Sequence, residues 1–255
     1  PAPTHPEEST PVKKGFVMTE NFRRLAEAQA AVERRGAREA GLVIVKGPYG
    51  IGKSELMERW AADAGAVFLR CKETWTKRAL LDELADALGL DKRGRNSEVQ
   101  ARIIGRLAVD MRPMCFDEAD HLIRSTASLL EIIRDITDMT GVACFLVGMQ
   151  SFGNTLGRHG HIASRVNRVV ELKRLSLADV QQACDKLSEV RIEPSLVERI
   201  HADSDGRMRL VLNAVATIEQ WAKANGWASV GADAVKGKAL CVEFKPERIV
   251  RGGQA

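Results

Sequence analysis

The residues with the most specific chemistry lie between positions 47 and 54. Gly47, Gly52, Lys53 and Ser54 are spaced as G-x-x-x-x-G-K-[ST], with Pro48, Tyr49, Gly50 and Ile51 inside the interval. A loop that cradles a triphosphate must turn successive backbone N–H groups inward, and side chains at its glycines would block that approach. Lys53 is then placed to reach the β- and γ-phosphates and Ser54 to hold Mg²⁺. With Glu55 directly after it, the run Gly47–Glu55 is the expected nucleotide-binding set.

A second pair of residues supplies what a phosphate loop lacks. Asp117 and Glu118 end a short apolar run about 65 residues further on. Asp117 would hold Mg²⁺ through water, and Glu118 would polarise a water for in-line attack on the γ-phosphate. An acidic turn is the plainer account of such a pair alone, but not when it follows a phosphate loop. Two adjacent acids also favour hydrolysis over transfer to a small molecule.

Three further positions could touch the reacting phosphate. Gln150, or its neighbour Ser151, follows another apolar run, where a polar side chain could meet the γ-phosphate or the water. Arg165, with Arg168 as its rival, could act as an arginine finger on a neighbouring subunit's nucleotide; a surface ion pair is the commoner fate of such a residue. Arg209, with Arg207 as competitor, opens a helical stretch where a positive charge is slightly misplaced, and could fold back onto the phosphates.

Elements must position these groups. Leu42–Val45 reads as a buried strand into the loop, and Glu55–Asp63 as a helix out of it. Ala66–Arg70, Pro113–Phe116, Val142–Val147 and Arg168–Leu172 read as four more strands. Helical periodicity covers Thr19 to Gly36, Lys77–Leu88, Glu98–Val109 and Ser125–Met139. Strands alternating with helices predict a parallel sheet with crossover helices. In the usual order the fourth strand would lie between the two that carry motifs. After Leu175 the pattern is helical throughout: Ala178–Ser188, Pro194–Asp203, Arg207–Ala224 and Gly231–Leu240. The expected organisation is a disordered arm at 1–18, an α/β domain at 19–174, a helical lid at 175–240 and a tail at 241–255.

The chain of 255 residues is 45% hydrophobic and 28% charged, enough to bury a core. One Tyr and four Trp argue against a base-stacking platform. A net charge of +4 is compatible with DNA without requiring it. Five cysteines without a C-x-x-C pair fit small core residues in a reduced cytoplasmic protein. No stretch is apolar enough to span a membrane. His159 and His161 flank Gly160 without an acidic or Cys partner nearby in sequence, and read as loop residues. Trp221 and Trp227 read as packing residues. Lys72, Lys77, Arg78, Lys92, Arg93, Arg95 and Arg124 fall on loops or helix starts, where they could track phosphates of duplex DNA or simply be solvated.

With these motifs in order the chain resembles an AAA+ ATPase. Within that superfamily it resembles the transposition regulators of the Mu B type and their relatives in Tn7-like and insertion-sequence elements. The subfamily likeness rests on compact size, Leu146-Val147-Gly148, Ser164-Arg165-Val166, Gly206 to Arg209 and a short helical lid. The resemblance implies an α/β fold: a P-loop AAA+ parallel five-stranded sheet flanked by helices, followed by a small all-helical lid domain. It implies ATP and Mg²⁺ as cofactors, homo-oligomers or helical filaments on double-stranded DNA, a transposase as partner, and a bacterial cell, phage or mobile element as source. Lys53, Ser54, Asp117 and Glu118 match the superfamily motifs, Arg165 the finger and Arg209 the lid arginine. The phage Mu protein has an N-terminal DNA-binding appendage, whereas only about 18 residues precede the first helix here, so DNA contact is expected from the core. Other DNA-associated roles, such as origin binding or helicase loading, and a signalling or secretion scaffold share the same nucleotide motifs. The roughly 30 residues after position 225 are few for a winged-helix domain, and a small-molecule kinase has no need of an inter-subunit arginine.

Overall fold

The run Leu42–Lys46 forms strand β1, and its first four residues are buried. In this computed structural model, which describes residues 15–123 and 127–242, β1 pairs in parallel with β4 (Cys144–Gly148) on one side and β5 (Val166–Glu171) on the other. With β2 (Val67–Arg70) and β3 (Met114–Asp117) the sheet is five-stranded and wholly parallel, in the order β2-β3-β4-β1-β5. Central parallel strands are covered on both faces, so they read as unbroken apolar runs. The edge strand β5 is largely half-buried or exposed, and keeps only Val170 fully inside.

Two layers of helix cover the sheet. Leu42, Ile44, Met114, Phe116, Cys144 and Leu146 share one core with α3 (Lys77–Ala87), α4 (Asn96–Asp110) and α5 (Ser128–Thr140). The alternate residue Phe145 stacks on Trp60 of α2 (Lys53–Ala64) with ring centroids 4.1 Å apart. Trp60 Nε1 donates to Gln29 of α1 (Glu20–Glu33) at 2.6 Å, which satisfies the one polar atom of a buried indole. Asn21 locks α1 to the end of β5 by donating to Lys173 O and accepting from Lys173 N.

Several boundaries differ from expectation. The first helix ends at Glu33 rather than Gly36, and Thr19 sits at its N-cap without a side-chain bond. The strand expected from Val142 starts at Cys144, and that expected from Arg168 starts at Val166. Two short helices, α6 (Phe152–Leu156) and α7 (Gly160–Ala163), fill a stretch read as loop. They are too short for a periodic signal, and buried Phe152, Leu156 and Ile162 anchor them to the core.

The chain divides into two compact units, Met18–Arg174 and a second that joins the residues through Val17 to those from Leu175 onward. Within the second, α8 (Leu177–Leu187), α9 (Pro194–Ser204) and α10 (Met208–Asn225) enclose a core of Val180, Leu196, Val211, Val215 and Ile218. Val17, expected in a disordered arm, is buried in that core. This unit is not wholly helical: β6 (Arg191–Ile192) pairs with β7 (Ser229–Val230). Strands of two residues are too short to show a period of two. The helix expected at Gly231–Leu240 is a single turn, Asp233–Val235. Gly237 adopts φ +76°, and Arg199 donates to the carbonyls of Val235 and Lys238 in place of further helical bonds. Trp221 and Trp227 pack against this core beneath the Lys238 ammonium, 4.7 and 5.9 Å from their ring centres. All five cysteines are free thiols. Burial pushes Cys184 up to about 12 and Cys241 up to about 11, so both stay protonated near neutral pH. No described helix is long and apolar enough to cross a membrane.

Phe145 is fully buried at the centre of the sheet. Phe145→Ala is expected to cost about 3–5 kcal/mol of unfolding free energy, read as a lower urea midpoint with an unchanged slope.

Candidate nucleotide site

The loop leaves the carboxyl end of β1. Gly47 is held so closely that an added Cβ would lie 2.8 Å from both Leu172 O and Ile51 Cδ1. Gly52, at φ +86°, turns the chain into the first turn of α2, a left-handed conformation that costs L-residues free energy. Lys53 and Ser54 are therefore the first residues of that helix, at the end that favours anions. Lys53 Nζ donates to Gly47 O at 2.9 Å and Pro48 O at 2.7 Å. Burial draws the Lys53 ammonium below the usual lysine range, and the carboxylates of Asp117 and Asp120 oppose that shift. Pro48, Gly50 and Ser54 are half-buried and Ile51 is buried, whereas Tyr49 is 62% exposed. Glu55 is exposed in the first turn, where an acid complements the helix dipole.

Asp117 ends β3 and is only 2% exposed. Its Oδ1 accepts from Glu118 N at 3.0 Å, and its Oδ2 faces Arg70 Nε at 3.3 Å. Arg70 also donates from Nη2 to Glu58 of α2 at 2.8 Å. Glu118 is exposed and adopts φ +56°, ψ +39°. That left-handed conformation costs a non-glycine residue about 1–2 kcal/mol, and such strain gathers at functional positions. In the turn Ala119–Leu122, Asp120 Oδ2 accepts from Met149 N at 2.8 Å, which ties this turn to the end of β4. His121 Nε2 lies 3.4 Å from Glu118 Oε2.

Residues 34–156 match the family model described as an AAA domain. That match, over a little less than half of the chain, is a likeness of the α/β unit to such a domain. Solved structures agree with that fold. The Aeropyrum pernix ORC2 protein, in ADPNP–ADP complexes, aligns at TM-score 0.67 and 15% identity, over 89% of this chain and 68% of its own. Cdc6p from Pyrobaculum aerophilum aligns at 0.63 and 18%, over 90% and 68%. The Aeropyrum pernix ORC1 protein in complex with DNA aligns at 0.58 and 19%, over 83% and 62%. At such identities the likeness is one of fold. No curated protein matches the chain significantly.

The α/β unit brings only part of the predicted set together. The sheet order places β4 between β1 and β3, as expected, so the loop at 47–54 and Asp117–Glu118 share one sheet edge with Met149 and Gln150. Gln150 is exposed, and its Nε2 donates to Glu171 Oε1 at the end of β5 at 2.6 Å; Ser151 is the N-cap residue of α6. Arg165 lies at the opposite edge, its carbonyl accepting from the N–H of Leu42 at the start of β1. The strand separates it from the loop by on the order of 13 Å. Its Nε faces both carboxylate oxygens of Asp138 at 3.2 Å. His161, expected in a loop, is instead in α7 and paired with Glu131 of α5. Arg168 is exposed on β5, in a cavity with Arg24 and Glu27. Arg209 is exposed in the first turn of α10, within the helical unit.

Most of the basic track carries ion pairs: Lys72 with Glu83, Arg78 with Asp82, Lys92 with Asp86 and Arg93 with Asp91. Arg78 also donates to Gly94 O and Lys92 O, which sets the 92–94 loop beside the start of α3. Among the described residues no acid pairs with the side chain of Lys77 or Arg95; Arg124 lies outside the described residues. Arg70, Asp120 and His121 were not singled out from sequence. Arg70 could have been found by setting the ends of two adjacent parallel strands side by side.

Gly47→Ala is expected to lower stability by about 1–3 kcal/mol, because the carbonyl it would strike is backbone, and to weaken nucleotide binding at least roughly tenfold. Thermal unfolding and titration with a fluorescent ATP analogue check the two effects.

Proposed function

We propose that the chain is an ATP-hydrolysing AAA+ protein that assembles on double-stranded DNA. The observation that carries this reading is Lys53 on the loop after β1, within the field of Asp117 and Asp120 at the end of β3, with Glu118 adjacent. Backbone N–H groups of residues 47–54 and the start of α2 bind the phosphates. Ser54 and Asp117 offer oxygen donors of the kind Mg²⁺ takes. Mg²⁺ commonly keeps several waters and binds partly through substrate phosphates, so one or two protein oxygens suffice. When bound with the nucleotide, that ion would neutralise part of the phosphates' charge. Glu118 orients and polarises the water that attacks the γ-phosphorus, the bond to the β–γ bridging oxygen breaks, and ADP and phosphate leave. Arg165, remote from its own loop, serves as the finger toward a neighbouring copy's nucleotide.

The finer reading is a transposition regulator of the Mu B type, which forms filaments on DNA, recruits a transposase and is released by hydrolysis. Its support is the motif set at 146–148, 164–166 and 206–209. A second reading, an origin-binding ATPase, is favoured by the ORC and Cdc6 proteins among the structural relatives, one of them in complex with DNA. Purified transposase separates the two: stimulation of strand transfer by the ATP-bound protein supports the first, and sequence-selective binding to origin DNA without such stimulation supports the second.

Glu118→Gln should bind ATP, hydrolyse it at least about a hundredfold more slowly and form persistent DNA assemblies visible by electron microscopy. A variant that stays monomeric with ATP and DNA would sink the model. Arg165→Ala should keep nucleotide binding and lose turnover; unchanged hydrolysis would move the finger to Arg168. Affinity for random-sequence duplex should fall with salt, and Lys77→Ala or Arg95→Ala should each reduce that log–log slope by about one. An absence of binding at low salt with ATP would point instead to a protein-scaffolding ATPase.

A further inference from the structure

We infer that His121 is a positioning residue for Glu118, holding the carboxylate that activates water; this rests on the hydrolytic reading above. Three observations converge. Glu118 is one of only three non-glycine residues with positive φ among the described residues, so its backbone already limits where the carboxylate can point. His121 N donates to Glu118 O at 3.0 Å, closing the turn that brings the two side chains to one side. The imidazole Nε2 then lies 3.4 Å from Glu118 Oε2.

The buried half of the ring assigns the tautomer. His121 Nδ1 is buried without a hydrogen-bond partner among the described residues. A buried N–H with no acceptor is more costly than a buried lone pair with no donor, because the acceptor is under-satisfied at lower cost. A ring with a proton on Nε2 is therefore favoured, and that proton is placed toward the Glu118 carboxylate oxygen 3.4 Å away. An N–H placed there steers the carboxylate by attraction to its near oxygen. The side chain of His121 is 19% exposed while that of Glu118 is 52% exposed, so the anchored partner is the histidine and the steered one is the acid.

Two readouts test this. In the ¹⁵N-histidine-labelled chain, the signals that vanish in His121→Gln identify His121. They should report the Nε2–H tautomer and move in Glu118→Gln. Signals of the Nδ1–H tautomer, or signals unmoved by Glu118→Gln, would overturn the contact. In steady-state hydrolysis, His121→Ala should lower kcat about tenfold with ATP affinity and Tm unchanged. His121→Gln, which keeps an N–H donor at the same reach, should recover to within about threefold of wild type. On the Glu118→Gln background His121→Ala should cost nothing further. A loss that tracks ATP affinity or Tm, or that adds fully to Glu118→Gln, would overturn the positioning role. If the unaltered chain hydrolyses no ATP, the hydrolytic reading fails and the kinetic role with it, while the imidazole spectrum still decides the contact.

Discussion

The α/β unit depends on β1 being buried on both faces between two parallel neighbours. Parallel pairing fixes every strand in one direction, so all carboxyl ends gather on one edge of the sheet. The loop at 47–54, the turn at Asp117–Glu118 and the Met149–Gln150 segment leave from that edge. With β4 interposed, the ends of β1 and β3 stand two strand spacings apart, about 10 Å. That gap is of the size a phosphate and its counter-ion require. A slip of one residue in β1 would turn Gly47 away from Leu172 and carry Lys53 off the edge.

Charge at this edge is balanced rather than concentrated. Asp117 is an acid with almost no access to water, and such a group needs donors. It has two, the Glu118 N–H and the Arg70 guanidinium. Lys53 is half-buried and satisfied by loop carbonyls, with Asp117 and Asp120 favouring its charged form. Each group is thus held by partners of the fold itself, so the arrangement is organised without a ligand. Arg70 and Asp120 extend the order outward, one to α2 through Glu58 and the other to the end of β4 through Met149 N.

Surface charge follows a different logic. The basic residues on α3 and the loops on either side of it pair with nearby acids. Exposed pairs of this kind contribute little, because water screens them and holding two long side chains in place costs entropy. They are weak enough to exchange for phosphate contacts, and by the same measure they leave the track less basic than a count of Lys and Arg implies. Arg165 is better held, by Asp138 on α5, at the edge remote from its own loop.

What the sequence by itself determined is what is local. The glycine spacing, the strand before it and the helix after it lie within about 25 residues, so the strand–loop–helix pattern expected of a phosphate loop is legible there. Unbroken apolar runs likewise marked the central strands, since burial on both faces leaves no alternation to misread. Short elements escaped, among them α6, α7 and the β6–β7 pair, because two to five residues carry no period. Side-chain partners were beyond reach for a physical reason. Arg70 meets Asp117 across 47 positions because β2 and β3 lie in register, and Arg165 meets Asp138 because α7, just before it, packs on α5. His121 meets Glu118 only because one residue turns to positive φ. Such pairings are settled by packing and register, which exist only once the chain has closed on itself, so the identity of the loop was written in the sequence and the company it keeps was decided by the fold.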